Sequence, residues 1–215
     1  MKITELYKIT RKENMMLWLE ALYSGYMIQS KEDYIFYVKC DKKAQRLEDK
    51  KILIPYRDTI YFFQKLMRKT EYYMNCRHDL LGRIMTVILK ILYLRKSRKL
   101  GFSMGLNVFG PGLSIAHYGM LVVNANAKIG KNCRIHEGVT IGSTNGQSEA
   151  AKIGDNVFIG SGAKIIGNVR IADNVAIGAN AVVVKDILEE GITVGGVPAK
   201  KISNNGSESN IVKAC

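Results

Sequence analysis

The chain has 215 residues, 47% hydrophobic and 24% charged, with a formal net charge of +13. That length holds one or two modest domains with a real core, and the composition is that of an ordinary folded protein, not a fibrous or disordered one. No apolar run reaches the roughly 18–20 residues that cross a bilayer; the closest, Leu80 to Leu94, is broken by Arg83 and Lys90.

The charge is uneven. Residues 1–100 carry 22 of the 32 Lys+Arg and 11 of the 19 Asp+Glu, so most of the excess sits there. A membrane surface, nucleic acid or a phosphate-bearing ligand would suit such a segment, and so would plain solvent. No nucleic-acid-binding motif accompanies it, and nucleic acid is set aside. The four cysteines, Cys40, Cys76, Cys133 and Cys215, show neither metal-like nor paired spacing, and no signal peptide is present. They read as reduced thiols in a cytoplasmic protein, with peripheral membrane contact through the basic segment as an option.

Residues 1–100 read as a basic α-helical domain. Met15, Met16, Leu19, Leu22, Tyr23 and Tyr26 recur at helical spacing. Pro55 suits the first turn of a second helix, with Ile60, Phe63, Leu66 and Met67 on one face. A third helix is expected from Asp79 to Lys96, with Leu80, Ile84, Val87, Ile88 and Ile91 apolar. Residues 31–51 are charged and give no clear element. His78 falls in this part and reads as a surface or capping residue.

At Gly101 the texture changes. Ile129, Ile135 and Ile141 are six apart, and so are Ile153, Ile159, Ile165, Ile171, Ile177 and Val183. A helix would repeat every 3.6 residues and an ordinary strand every two. A strict period of six is the mark of a β-helical solenoid of hexapeptide repeats. The expected fold is therefore mainly β: a parallel β-helix of about five triangular coils over residues 101–202, preceded by the helical segment 1–100. Earlier repeats start near Ser103, Phe109, Ile115 and Leu121, and an eight-residue step leads from Leu121 to Ile129. Residues 143–152 lack an apolar start and should protrude as a loop. Small residues two places before each start (Ala127, Cys133, Val139, Val157, Ala163, Val169, Val175, Ala181) should also point inward, which makes Cys133 a core residue. Gly195-Gly196-Val197-Pro198 breaks the pattern, and residues 203–215 read as a disordered tail.

Five stretches carry a family resemblance. GPGLSIAHYG (110–119), CRIHEGVTIGS (133–143), IGSGAKIIGN (159–168), IGANAVVVKD (177–186) and GGVPAKKI (195–202) together resemble the left-handed β-helix acyltransferases, closest to their serine acetyltransferase-like branch. The resemblance covers residues 100–202. It implies a left-handed solenoid, acetyl-coenzyme A as co-substrate, no metal, and a homotrimer with its sites between subunits. It makes His117 the general base, since an imidazole titrating near pH 6.5 suits that work. It gives the backbone amides of Gly142 or Ser143 to the oxyanion, main-chain groups of Ser161 and Ala179 to the coenzyme arm, and Lys185, Lys200 and Lys201 to its phosphates. Tyr118 and His136 are expected to line the acceptor cleft. A zinc site of the hexapeptide carbonic anhydrase type is rejected, because it needs three converging histidines.

The match has gaps. The family's aspartate directly before the histidine is Ala116 here, and the one fifteen residues before it is Phe102. The arginine and histidine that hold an amino-acid acceptor are replaced by Glu149 and Ala150. A carboxylate wants a cation, so these losses point to an acceptor other than serine, a sugar or polysaccharide hydroxyl. The coil arithmetic places Glu137 beside His117, where it can support the imidazole. Serine O-acetylation is the first alternative, and a non-catalytic trimeric scaffold is the second.

Overall fold

The computed structural model describes residues 26–144 and 146–215. The helix expected around Met15–Tyr23 lies outside them. Among the described residues, three helices come first: α1 (Lys31–Ala44), α2 (Thr59–Cys76) and α3 (Leu80–Leu100). The charged stretch that gave no clear element therefore contains α1, started by Ser30, whose side chain accepts from the Asp33 amide at 3.0 Å. Pro55 lies in the turn ahead of α2, not at its first residue. Asp79 caps α3 through the Gly82 amide, and Gly101, at φ 77°, ends it.

Fourteen short strands follow, and they stack as a left-handed parallel β-helix. One face holds β1 (Phe102–Met104), β3 (Leu121–Val123), β6 (Thr140–Gly142), β9 (Lys164–Ile166) and β12 (Val182–Val183). A second holds β4 (Lys128–Ile129), β7 (Lys152–Ile153) and β10 (Arg170–Ile171), extended by bridges at Phe109 and Ile187. The third holds β2 (Ser114–Ile115), β5 (Arg134–Ile135), β8 (Phe158–Ile159), β11 (Ala176–Ile177), β13 (Thr193–Gly195) and β14 (Lys200–Ser203). Isoleucine stacks on isoleucine through the register, as in Ile135↔Ile159↔Ile177. The small residues predicted to point inward, Cys133 among them, are all buried. Burial pushes the Cys133 thiol up to about 12. Left-handed turns between strands fall on Asn107, Asn132, Asn156, Asn174 and Asn180, a residue that tolerates φ > 0. After Pro198 the chain reverses, and β14 pairs antiparallel on β13, covering a sheet edge.

Four expectations need correction. First, the extra two residues do not lie between Leu121 and Ile129. Val123, buried and paired with Ile141, stands six before Ile129. The insertion therefore falls between Ile115 and Leu121, in the loop that carries His117. Ser103 likewise faces out, between buried Phe102 and Met104. Second, the apolar face assigned to α3 is exposed: Leu80 74%, Ile84 48%, Val87 58%, Ile88 44%, Ile91 51%. Leu89, Tyr93 and Ser97 pack inward instead, with Tyr93 stacked on Phe63. Third, residues 203–215 are held in place. The tail runs back along the asparagine corner, where successive coils offer partners at strand spacing. Ser207 N–H donates to the Asn174 carbonyl at 3.0 Å, and the amides of Ala214 and Cys215 donate to Asn132 Oδ1. Its polar composition gives no core, but the coil supplies the hydrogen bonds. Fourth, Cys40 and Cys215 form a disulfide between α1 and the tail, 175 residues apart in sequence. Cys76 and Cys133 are free.

The helices dock on the first coil through buried charge. The Arg68 guanidinium, with no exposed surface, donates to Asp41 at 2.9 Å, Glu71 at 3.1 Å, and the carbonyls of Phe109 and Gly110. Asp41 also accepts from the amides of Gly112 and Leu113, and Glu71 from Asn107. Burial pushes both carboxyls up, and the guanidinium opposes this.

Candidate active site

The coil register builds one corner of the prism. Ile115, Ile135, Ile159, Ile177 and Val194 align across β2, β5, β8, β11 and β13. Two residues past each comes a column of His117, Glu137, Ser161, Ala179 and Gly196. Backbone bonds tie it: the Gly162 amide donates to the Glu137 carbonyl at 2.9 Å, and the Asn180 amide to the Ser161 carbonyl at 2.8 Å. In the coil below, two residues lead from Glu137 to inward Val139; four lead from His117 to inward Leu121. That surplus bulges out as Tyr118, Gly119 and Met120, with Tyr118 and Met120 exposed and Gly119 at φ 140°. His117 stands exposed at the base of this bulge.

Glu137 Oε1 accepts a hydrogen bond from Ser161 Oγ at 2.6 Å. This bond is the main cause holding the carboxyl below its ordinary range. Glu137 Oε2 lies 3.8 Å from His136 Nδ1 and has no hydrogen-bond partner. The His117 and His136 rings meet edge to face at 5.8 Å, and His136 packs on Phe158 in the same way. Burial, then Arg134, pushes His136 below its ordinary value, against the pull of Glu137. His136 is a neutral wall of the corner.

His117, His136 and Glu137 each offer one ligand atom, all within 4.8 Å of one another. Ligands 2.0–2.1 Å from a tetrahedral zinc sit about 3.4 Å apart, and of the Glu137 carboxylate, Oε1 is already bonded to Ser161. The trio as arranged suits proton handling.

A cavity of about 500 Å³ opens beside His117 between the helices and the solenoid, lined among others by Gln45, Tyr56, Arg57, Thr59 and Tyr118. The other expected site residues lie apart. Gly142 and Ser143 close the far end of β6, at the next corner, beside Ser103 and Asn124. Register puts Lys185 in the Ser143 column. Lys200 is exposed on β14, while Lys201 is paired with Glu189. Phe102 is a core ring 5.1 Å from Phe63, and Ala150 is buried at 3%, so neither can orient or bind a ligand. Glu149 accepts from Asn168. Arg57 and Gln45 escaped the sequence reading, since only docking of the helices brings them to the corner.

Residues 150–185 match the bacterial transferase hexapeptide family (six repeats). The structure of Neisseria gonorrhoeae serine acetyltransferase in complex with serine superposes at TM-score 0.60, with 30% identity, over 79% of this chain and 69% of that one. The chain belongs to the hexapeptide-repeat transferases. Another member, Brucella abortus serine acetyltransferase in complex with coenzyme A, superposes at TM-score 0.63 and 26% identity, over 82% and 70% of the two chains. In sequence, Arabidopsis thaliana chloroplastic serine acetyltransferase 1 is 48% identical over 95 residues, 43% of this chain and 30% of its own length. Synechococcus elongatus serine acetyltransferase is 39% identical over 99 residues, 45% and 40%. The chain thus spans well under half the length of these curated relatives. These hexapeptide-repeat relatives overturn the sugar or polysaccharide acceptor: they are serine acetyltransferases. Glu149 and Ala150 occupy one loop, and a recognition group for the acceptor can be supplied from another element.

Proposed function

We propose that the protein is an acetyl-coenzyme A-dependent O-acetyltransferase acting on L-serine. The observation that carries this reading is the corner column: an exposed His117 over an ionised Glu137 that is fixed by Ser161. His117 takes the hydroxyl proton as the serine oxygen attacks the thioester carbonyl. Glu137 stabilises the imidazolium that results, filling the part of the family's missing aspartate. The new ester bond forms, the thioester bond breaks, and the imidazolium returns its proton to the departing thiolate.

The oxyanion donors of this reading, Gly142 and Ser143, sit one full face away from His117. One chain does not bring them to one carbonyl; corners of two copies facing each other in a homotrimer do. The coenzyme arm would then run along Ser161 and Ala179, with Lys185 and Lys200 near its phosphates. In the coil ladder the Ser161 carbonyl accepts from the Asn180 amide.

Incubation with acetyl-coenzyme A and L-serine tests this reading. Free thiol and O-acetylserine should appear in equal amounts. A protein that binds coenzyme A yet releases no thiol with serine is the scaffold instead.

The exposed apolar stripe of α3 favours one addition, contact with an anionic bilayer surface. Its cations Arg83, Lys90, Arg95, Lys96, Arg98 and Lys99 face no acidic residue on the helix. Co-sedimentation with phosphatidylglycerol vesicles at low salt checks it; equal binding to neutral vesicles, or none, removes it.

A further inference from the structure

The pair that would hold a serine carboxylate is absent from the loop before β7, where Glu149 and Ala150 stand. An amino-acid acceptor still brings a carboxylate to the site, and it must be met by a cation close to His117. The cavity beside His117 offers one. Of the described side chains that line it, Arg57 alone is a formal cation.

The turn that carries Arg57 is fixed from all sides. Asp58 Oδ1 is paired with Lys50 at 2.9 Å, and Oδ2 accepts from the Ile54 amide at 2.9 Å. The Asp58 amide donates to the Ile54 carbonyl, and Thr59 Oγ1 to the carbonyls of Pro55 and Tyr56. The bonds from Lys50 first, then from the Ile54 amide, hold the Asp58 carboxyl below its ordinary range, so it stays charged. Arg57 Nε is 3.8 Å from Asp58 Oδ2, too long for a hydrogen bond, and its side chain is 58% exposed. The guanidinium is thus presented without being consumed. Lys50 and Arg57 against Asp58 leave a net positive charge on the turn. The opposite wall is set as firmly: Gln45 Nε2 donates to the Ile115 carbonyl and to Gln64.

We propose that Arg57 is the specificity-determining residue of the acceptor site, receiving the carboxylate of the amino acid whose hydroxyl His117 activates. This rests on the serine-acetylating reading. A guanidinium presents two parallel N–H groups to a carboxylate, which places the rest of the molecule as well as binding it. Recognition in this chain comes from the turn before α2, not from the loop before β7. Arg57 touches the non-reacting end of the acceptor, so its removal weakens binding more than turnover.

Steady-state kinetics on the intact protein test this, with wild type, Arg57→Gln and Arg57→Lys, on L-serine and on L-serinamide. Arg57→Gln should raise KM for L-serine about ten- to hundredfold. Its kcat and its KM for acetyl-coenzyme A should stay within about twofold. L-serinamide should lose nothing, and Arg57→Lys should recover part of the loss. An unchanged KM for L-serine, or an equal rise with serinamide, overturns the assignment of Arg57 while leaving serine acetylation standing. A wild-type protein that acetylates no serine overturns the broader reading first, and this one with it. Thermal melting controls for folding; the exposure of Arg57 predicts an unchanged midpoint.

Discussion

The solenoid and the helical domain are stabilised in opposite ways. Ile129, Ile135, Ile141, Ile153, Ile159 and Ile165 fill the solenoid at 1% exposure or less. Among the described residues, no charged side chain of the solenoid is buried with them. The buried charged residues Asp41, Asp58, Arg68 and Glu71 all belong to the helical domain. The solenoid gains stability residue by residue, as each isoleucine leaves water. The junction depends on one guanidinium that satisfies two carboxylates and two carbonyls at once. A repeat spreads its stability over many equivalent contacts, whereas a buried charge network concentrates it in one place. The proposed function divides along the same line: chemistry at the repeat's corner, recognition in the cavity under the helices.

This contrast can be broken first at the corner. His117→Ala should lower kcat about 10²–10⁴-fold without moving the thermal midpoint, read by thiol release and circular dichroism. A retained rate would place the base outside the corner. The junction comes next. Arg68→Ala should cost about 3–5 kcal/mol in urea unfolding, because Asp41 and Glu71 are left buried and uncompensated. Adding Asp41→Asn should return part of that. Ile153→Ala should cost about 2–5 kcal/mol through its cavity alone, with no second substitution of charge able to restore it. If Asp41→Asn restores nothing to Arg68→Ala, the junction is packed like the solenoid and the contrast fails.

A smaller effect sharpens the corner itself. Glu137→Gln should lower kcat about tenfold, the worth of roughly 1.4 kcal/mol of imidazolium stabilisation, with KM for L-serine little changed. Equal turnover would reduce Glu137 to a solvated strand residue. The smallest effect is on stability against pH. His136 is depressed in the fold, so as pH falls below about 6.5 the unfolded chain takes up a proton that the folded one does not. Stability should therefore decline from about pH 6.5 down to the folded value, and His136→Gln should flatten that decline. An unchanged slope would assign the decline to other groups.

Much of the solenoid was legible before folding. The six-residue period named most inward residues from Ala127 to Val183, because each coil repeats the same burial in the same order; it missed Ala150 and Ala151, which are buried at the end of the stretch expected to protrude. The same counting placed Glu137 against His117. It misplaced the two-residue insertion, since Leu121 and Val123 are both apolar and both inward, and only strand pairing tells which is the start. The helical domain was read less well. On α3 the sequence marks Leu80, Ile84, Val87, Ile88 and Ile91 as apolar, but the surface that docks uses Leu89, Tyr93 and Ser97. Hydropathy marks an amphipathic face without saying what covers it.

By itself, then, the sequence determined what is periodic: the β-helix, its inward residues, and a histidine and glutamate in one column. The tertiary structure alone decided what depends on contacts far apart in the chain. Arg68 reaches Phe109 and Gly110, Cys215 returns to Cys40, and Arg57 comes to the cavity of His117. A repeat writes its neighbours into the spacing of the chain. A single long-range contact leaves no such record, because nothing in local spacing fixes which distant partner satisfies a buried charge or a turn.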